Sequence, residues 1–438
     1  MVRTGHRTQR RRGGRRLDRV AFLGPIPPAA TGVATYDRAV LEGLGRIGVT
    51  PPVEPIWPVD QRAAAIVPEY RLAVYQMGNS VEHHLEIFRL LWRHPGLVVL
   101  HDLAIDGFVR GMAAAGDVRA YASMHREAID AGTHLDSPDV VLSEPLRMPW
   151  VAAVARRARG LVVHSDFGRR YLEELGCRTP TFVIPHPPVE TEDAIRVART
   201  GGAALRDRAR AKGADTLVVV PGELNGTKGL DAIIEAAVSL QRHVHIVMVG
   251  RNPAFDVAAA IAAAGVADRV RVELDVSDAT FLAWIAAADI VVELRHPHRG
   301  EVSGSLSRAM QVGRPVIVSG TGSYLDAPAE AVSTISPGPP DPSELLERIS
   351  ALAADADRCE RMGAAGRAFT EELIRSEATA KGYAAAIAAT LGVVEDPTRR
   401  PRDRWAGALA EIGVTQDHVE AGFGMSYARA LESFTHPT

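Results

Sequence analysis

Two successive series of short apolar runs, each run followed by polar residues and then by a stretch with helical spacing, decide what this chain can fold into. The first series comprises Val20–Leu23, Leu72–Tyr75, Leu97–Leu100, Leu161–Val163 and Phe182–Ile184. The second comprises Leu217–Val220, His245–Val249, Val270–Glu273, Ile290–Leu294 and Pro315–Ser319. Runs this short suit parallel strands covered on both faces rather than buried helices. Helical spacing recurs between them, over Tyr36–Leu44, Leu85–Trp92, Val151–Ala158, Phe167–Leu175, Leu230–Leu240, Ala279–Ala286 and Ser305–Val312, and over two long stretches, Ser343–Ala354 and Ala364–Ala389. The alternation predicts an α/β protein of two Rossmann-like, doubly wound parallel-sheet domains. The expected division is a disordered basic tail over 1–16, a first domain over 17–190, a charged connector over 191–213, a second domain over 214–375, and a crossover helix with a helical extension over 376–438.

Composition removes several classes of function. The 438 residues carry a formal charge of -3, with 46% apolar content, which excludes a wholly disordered chain and argues against a dedicated nucleic-acid binder. Cys177 and Cys359 form no CxxC pair, and no histidines stand at metal-binding i, i+4 spacing, so neither a disulfide scaffold nor a metal site is expected. No apolar run is long enough to span a bilayer. The arginine-rich start, MVRTGHRTQRRRGGRR, resembles a twin-arginine leader only in charge, because prolines interrupt the apolar stretch after it. A soluble cytoplasmic protein is the expectation.

In open parallel sheets ligands bind beyond the carboxyl ends of strands, so the residues after each run are the candidates. Gly24 to Ala34, containing Gly32, is a glycine loop feeding a helix, without the GxGxxG of a dinucleotide site. His101-Asp102 stands directly after the Leu97–Leu100 run, a placement that suits hydrogen bonding to substrate or proton transfer; His164-Ser165 repeats it. After Leu217–Val220 stands Pro221-Gly222-Glu223-Leu224-Asn225-Gly226-Thr227-Lys228-Gly229, which sets one of only three lysines before a helix, a plausible diphosphate site but not a P-loop. After Ile290–Leu294, a run from Arg295 through Glu301 to Ser303-Gly304-Ser305-Leu306 joins a carboxylate to a helix start. Glu301 can accept from sugar hydroxyls, the Gly304, Ser305 and Leu306 amides can hold phosphate oxygens, and Arg295, Arg299 and Arg308 add positive charge.

Taken in order, these pieces carry a resemblance. Glu301, Ser303-Gly304-Ser305-Leu306, Ala309-Met310 and Gly313-Arg314-Pro315-Val316 are similar to the signature of GT-B glycosyltransferases of family 4. Gly222 to Lys228-Gly229 resembles that family's GRLxxxKG element, His101-Asp102 its VHD segment, and Phe182 to His186 its VIPNG segment. The resemblance, over roughly Val20 to Ala389, implies a GT-B fold and a retaining, metal-independent transferase without cofactor, moving a hexosyl group from a nucleotide-diphosphate sugar to a hydroxyl acceptor. It implies that Glu301 contacts donor-sugar hydroxyls, that Ser303 to Leu306 hold the diphosphate with Lys228, Gly222 and Arg295, that His101 lies near the anomeric carbon, and that Gly32 shapes the acceptor side. Two departures stand out. The family's second glutamate falls on Ala309 by count or Arg308 by motif, and its basic residue beside the glycine is Glu223. Glu293 is a candidate to serve the ribose instead. The departures keep two other readings open: a catalytically silent GT-B scaffold partnering an active transferase, and a GT-B epimerase or pseudo-glycosyltransferase.

Overall fold

The computed structural model describes residues 17–29, 31–251 and 255–395; the expected tail over 1–16 and most of the C-terminal extension lie outside them. The first domain holds β1 (Leu17–Leu23), β2 (Val53–Ile56), β3 (Tyr70–Met77), β4 (Leu97–Leu100), β5 (Gly160–Val163) and β6 (Thr181–Val183), ordered β2-β1-β3-β4-β5-β6. The second holds β7 (Thr216–Glu223), β8 (Val244–Arg251), β9 (Val270–Leu274), β10 (Ile290–Glu293), β11 (Val316–Ser319) and β12 (Val332–Ile335), ordered β12-β11-β10-β7-β8-β9. Every pairing in both sheets is parallel. The fold class is therefore two doubly wound α/β domains.

Alternation along each strand sends successive side chains to opposite faces, and both faces are covered. In the first sheet Val20, Phe22, Val74 and Val99 meet Tyr36, Val40 and Leu44, whereas Ala21, Leu23, Tyr75 and Val98 meet Ile87, Phe108 and Val154. In the second sheet Val218, Val220 and Met248 pack toward Ile233 and Leu345, whereas Val219, Val247 and Val291 pack toward Trp284 and Met310. The strand order reverses between β1 and β3 in one domain and between β7 and β10 in the other. Those are the switch points where a doubly wound sheet opens a crevice. The Gly24 loop and the Lys228 turn lie at them.

Three stretches differ from the sequence expectation. Within the connector expected over 191–213, where sequence spacing assigns no helix, Glu192–Arg210 is a 19-residue helix capped by Thr191. Its small residues allow close packing on the helix Asp278–Ala287, since a Cβ on Gly202 would stand 2.9 Å from the Ala283 carbonyl. The stretch Ala364–Ala389 is not one helix but parts of two, Ala356–Arg375 and Ala378–Glu395, broken where Glu377 takes φ 53°. The first packs on the helix Gly304–Val312, and the second returns to the first domain against Gly32–Ile47. There Tyr383 and Tyr36 share a 2.7 Å hydroxyl hydrogen bond. The chain thus crosses between domains twice, at 185–191 and at 376–377, and Thr379 Oγ1 donates to the Pro185 carbonyl at 2.9 Å, joining the crossings. Finally, 103–157 inserts five helical segments between β4 and β5 that strand and helix spacing largely missed.

Candidate functional site

On the second domain, Ser303 caps the helix Gly304–Val312: its Oγ accepts the Leu306 amide at 3.2 Å. The Leu306 N–H expected to hold phosphate is therefore spent on the cap, and the free amides at this helix start are those of Gly304 and Ser305. Gly222, next to last in β7, takes φ +116°, and a Cβ there would lie 3.1 Å from Lys228 Nζ and 3.2 Å from Ser305 Oγ. Gly222, Lys228 and Ser305 thus converge on one small cradle. Lys228 is 1% exposed, and its Nζ donates to Glu293 Oε1 at 2.5 Å. The same oxygen accepts from Ser303 Oγ at 2.8 Å and from the Tyr324 hydroxyl at 3.2 Å. Burial depresses the Lys228 ammonium to about 8. Glu293 is wholly buried beneath the lysine, so the expectation that it meets a ribose is corrected: it is the lysine's counter-ion.

The arginines expected to supply positive charge are all engaged. Arg295 stands 3.2 Å from Glu301 Oε1 and donates to Thr227 Oγ1 at 2.9 Å. Arg299 pairs with Asp106 of the first domain. Arg308 pairs with Glu190 at 2.6 Å. Glu301 itself accepts the Arg299 amide at 2.6 Å, so its carboxylate is oriented by its own loop. Glu223 is exposed at the strand end, opposite Arg251.

On the first domain, β4, β5 and β6 end in loops bearing His101, His164 and His186, and these rings surround Tyr36 at centroid distances of 4.8, 5.0 and 4.8 Å. His101 Nε2 meets Gln76 Oε1 at 2.9 Å, His164 Nδ1 meets the Ile184 carbonyl at 2.9 Å, and His186 Nδ1 meets the Pro187 carbonyl at 3.1 Å. Burial drives all three toward the neutral imidazole: His101 well below its ordinary value, His164 to about 4 and His186 to about 3. Asp102 accepts the Asn79 amide at 3.0 Å, and burial, reinforced by Glu301, lifts its carboxyl to about 7. From the sequence, His101 with Asp102 drew a role and His164 the same placement, whereas His186 drew none of its own. The signal for the trio was present, a histidine after each of three consecutive strands, but only strand adjacency makes it a cluster.

The two halves face each other. Leu103 and Ala104 donate their amides to the Arg299 carbonyl at 2.9 and 3.0 Å, which brings Asp102 against Glu301. A cavity of about 220 Å³ lies between them, lined by Gly32, Tyr36, His101, Asp102, Glu301 and Gly304 among others. It joins a carboxylate, a helix start and neutral hydrogen-bonding rings, a set suited to a polyhydroxyl ligand carrying an anionic group. Among the described residues no cluster of His, Cys, Asp or Glu has the geometry to hold a metal ion, and no helix is long and apolar enough to cross a membrane.

A further contact crosses the boundary. Asp326 accepts the Asp166 amide at 2.6 Å, and burial holds its carboxyl up at about 7, with Asp166, Arg169 and Arg170 facing it. A carboxyl so raised stabilises the fold at low pH, and that contribution is lost as pH climbs from its unfolded value near 3.9 through about 7. Between pH 5 and 8 the wild type is therefore expected to lose about 2 kcal/mol that Asp326→Asn retains. Paired unfolding curves that keep a constant separation over this range exclude the assignment.

Two Rossmann-like domains closing on such a cleft define the GT-B class of fold. Solved structures of that class share it: Anabaena HepE in complex with UDP-glucose (TM-score 0.58, 17% identity, covering 86% of this chain and 99% of that one) and sucrose-phosphate synthase from Thermosynechococcus elongatus (TM-score 0.57, 17% identity, 83% and 96%). Residues 203–369, within the second domain, match the family described as Glycosyl transferases group 1. A curated relative, the D-inositol 3-phosphate glycosyltransferase of Xylanimonas cellulosilytica, is 28% identical over 258 residues; the match spans 57% of this chain and 57% of the relative's length.

Proposed function

We propose that the protein is a retaining, metal-independent glycosyltransferase of the family 4 type, moving a hexosyl group from a nucleotide-diphosphate sugar to a hydroxyl acceptor in the cytoplasm. The observation that carries this reading is the convergence of Gly222, Lys228 and Ser305 at the switch point of the second sheet, beside Gly304, which lines one cavity with His101 and Asp102. The diphosphate lies on the Gly304 and Ser305 amides beside Lys228, with Arg295 near it. Glu301 receives hydroxyls of the donor sugar. As the anomeric C–O bond breaks, charge builds on the diphosphate and is met by fixed amide dipoles and the lysine. The departing phosphate oxygen takes the acceptor's proton while the acceptor oxygen bonds to the anomeric carbon on the same face. His101, neutral and held by Gln76, offers hydrogen bonding near that carbon. Gly32 leaves the acceptor side open, because a Cβ there meets nothing within 4 Å.

One observation favours a second reading. Lys228 is closed onto Glu293, and Arg295, Arg299 and Arg308 are all paired, an arrangement that also suits a silent GT-B scaffold partnering an active transferase. Melting curves with UDP, GDP, ADP, dTDP and CDP, each with and without magnesium, separate the two. A nucleotide present at about 100 times its Kd stabilises the native state by about 2.7 kcal/mol. A selective, magnesium-independent shift of that size, together with product formation from the matching sugar, is the expected outcome. Binding without turnover supports the scaffold, and no shift with any nucleotide overturns the donor site.

A further inference from the structure

Behind the Val302–Ser307 wall of the cleft lies a second cavity, about 100 Å³, that the transfer chemistry does not use. Val183 and Pro185 close it from the first domain; Leu306, Met310, Phe369 and Leu373 close it from the second. It shares His164, His186, Val302 and Ser307 with the polar cavity, so the two meet at those residues. Most of its polar lining is already committed to protein partners. Ser303 serves Glu293 and the helix cap, Ser323 donates to the Glu301 carbonyl, Asp326 takes the Asp166 amide, and Thr370 Oγ1 donates to the Arg367 carbonyl at 2.9 Å.

His164 is different. Its Nδ1 faces a carbonyl, which can only accept, so Nδ1 carries the proton and Nε2 is left as an acceptor. Nε2 is buried and has no partner. A largely apolar chamber with an unused buried acceptor on His164, and the Ser307 hydroxyl where it meets the cleft, matches a ligand with an apolar body and an O–H group. An all-polar ligand would lose its hydration against this wall without replacement.

We propose that this cavity is the subsite for the non-reacting body of the acceptor, and that the acceptor is an alcohol bearing a compact branched-aliphatic or aromatic group rather than an all-polar sugar or polyol. The proposal rests on the transfer reading above and names its substrate class. Size agrees, because a cavity of roughly 150 Å³ holds benzene. At about 100 Å³, opening toward the cleft, this one takes a branched group of about five carbons, or a ring whose edge reaches into the cleft. The hydroxyl then lies on the His164 side, toward His101 and Glu301.

Saturation-transfer NMR on the full chain tests this with benzyl alcohol, 3-methylbutanol, glycerol and myo-inositol as probes. Benzyl alcohol and 3-methylbutanol are expected to bind and to compete with each other; glycerol and myo-inositol are expected to give at least tenfold weaker signals. Leu373→Trp, which fills the chamber from the helix Ala356–Arg375, is expected to abolish the benzyl alcohol signal while keeping nucleotide binding. Ala327→Leu serves the same purpose should the tryptophan variant fail to melt cooperatively. No binding of either apolar alcohol, or binding undiminished in a folded filled variant, overturns the proposal. Alcohol binding in a protein that binds no nucleotide instead leaves the subsite standing and removes the transfer reading.

Discussion

Glu301→Gln is expected to lower turnover by about a hundredfold or more, with the melting temperature essentially unchanged. The substitution keeps shape and one carbonyl oxygen, so the Arg299 amide retains an acceptor. It removes the charge that faces Arg295 at 3.2 Å and that, in the proposed donor site, would strengthen hydrogen bonds from sugar hydroxyls. Loss of a single oriented electrostatic partner in a closed site typically costs a factor of about 100 to 1,000. Steady-state kinetics with the nucleotide sugar selected by binding, alongside circular dichroism, measures both parts. Turnover within threefold of wild type, in a folded variant, removes Glu301 from the site.

The second large effect concerns stability. Lys228 and Glu293 are buried at 1% and 0% exposure, so deleting the lysine leaves a buried carboxylate whose nearest remaining cation is Arg295 at 3.7 Å. Breaking a buried pair from one side costs about 3–5 kcal/mol. Lys228→Ala is expected to incur that penalty and to lose activity partly through unfolding, which makes it a poor probe of diphosphate binding by itself. The double variant Lys228→Met with Glu293→Gln removes both charges and keeps acceptors for Ser303 and Tyr324. It is expected to recover most of the stability in denaturant titrations but not the turnover. A single variant as stable as wild type shows that the pair is not the anchor described here.

How far the sequence disclosed this molecule depends on the range over which each signal acts. The core strands were legible because an apolar run reports its own burial. The edge strands were not: VEPI of β2 contains a proline, and VSTI of β12 alternates weakly and is only part buried. The break at Glu377 left no mark, since a left-handed glutamate is imposed by the return to the first domain rather than by local preference. At the site, glycine loops and the Glu301 to Leu306 run were readable because they are continuous. Partnerships were not. Asp106 with Arg299, Glu190 with Arg308 and Lys228 with Glu293 join residues distant in the chain, and no local pattern encodes which charge finds which. The arginines expected to lie free for phosphate were therefore already occupied, and the lysine faced inward.

The paired crossings between the domains have a mechanical consequence. A single tether would leave two bodies free to twist, slide and bend about it. Two strands of chain, tied to each other by Thr379 and Pro185 and flanked by the Gln311 amide on the Glu190 carbonyl at 3.1 Å, behave instead like the pins of a gate. Sliding and twisting stretch one pin against the other, and the soft coordinate left is a swing about the line joining them. Any swing about that line has to part the contacts that span the cleft away from the crossings: Leu103 and Ala104 on the Arg299 carbonyl, Ser143 on the His298 carbonyl, and the Asp166 amide on Asp326.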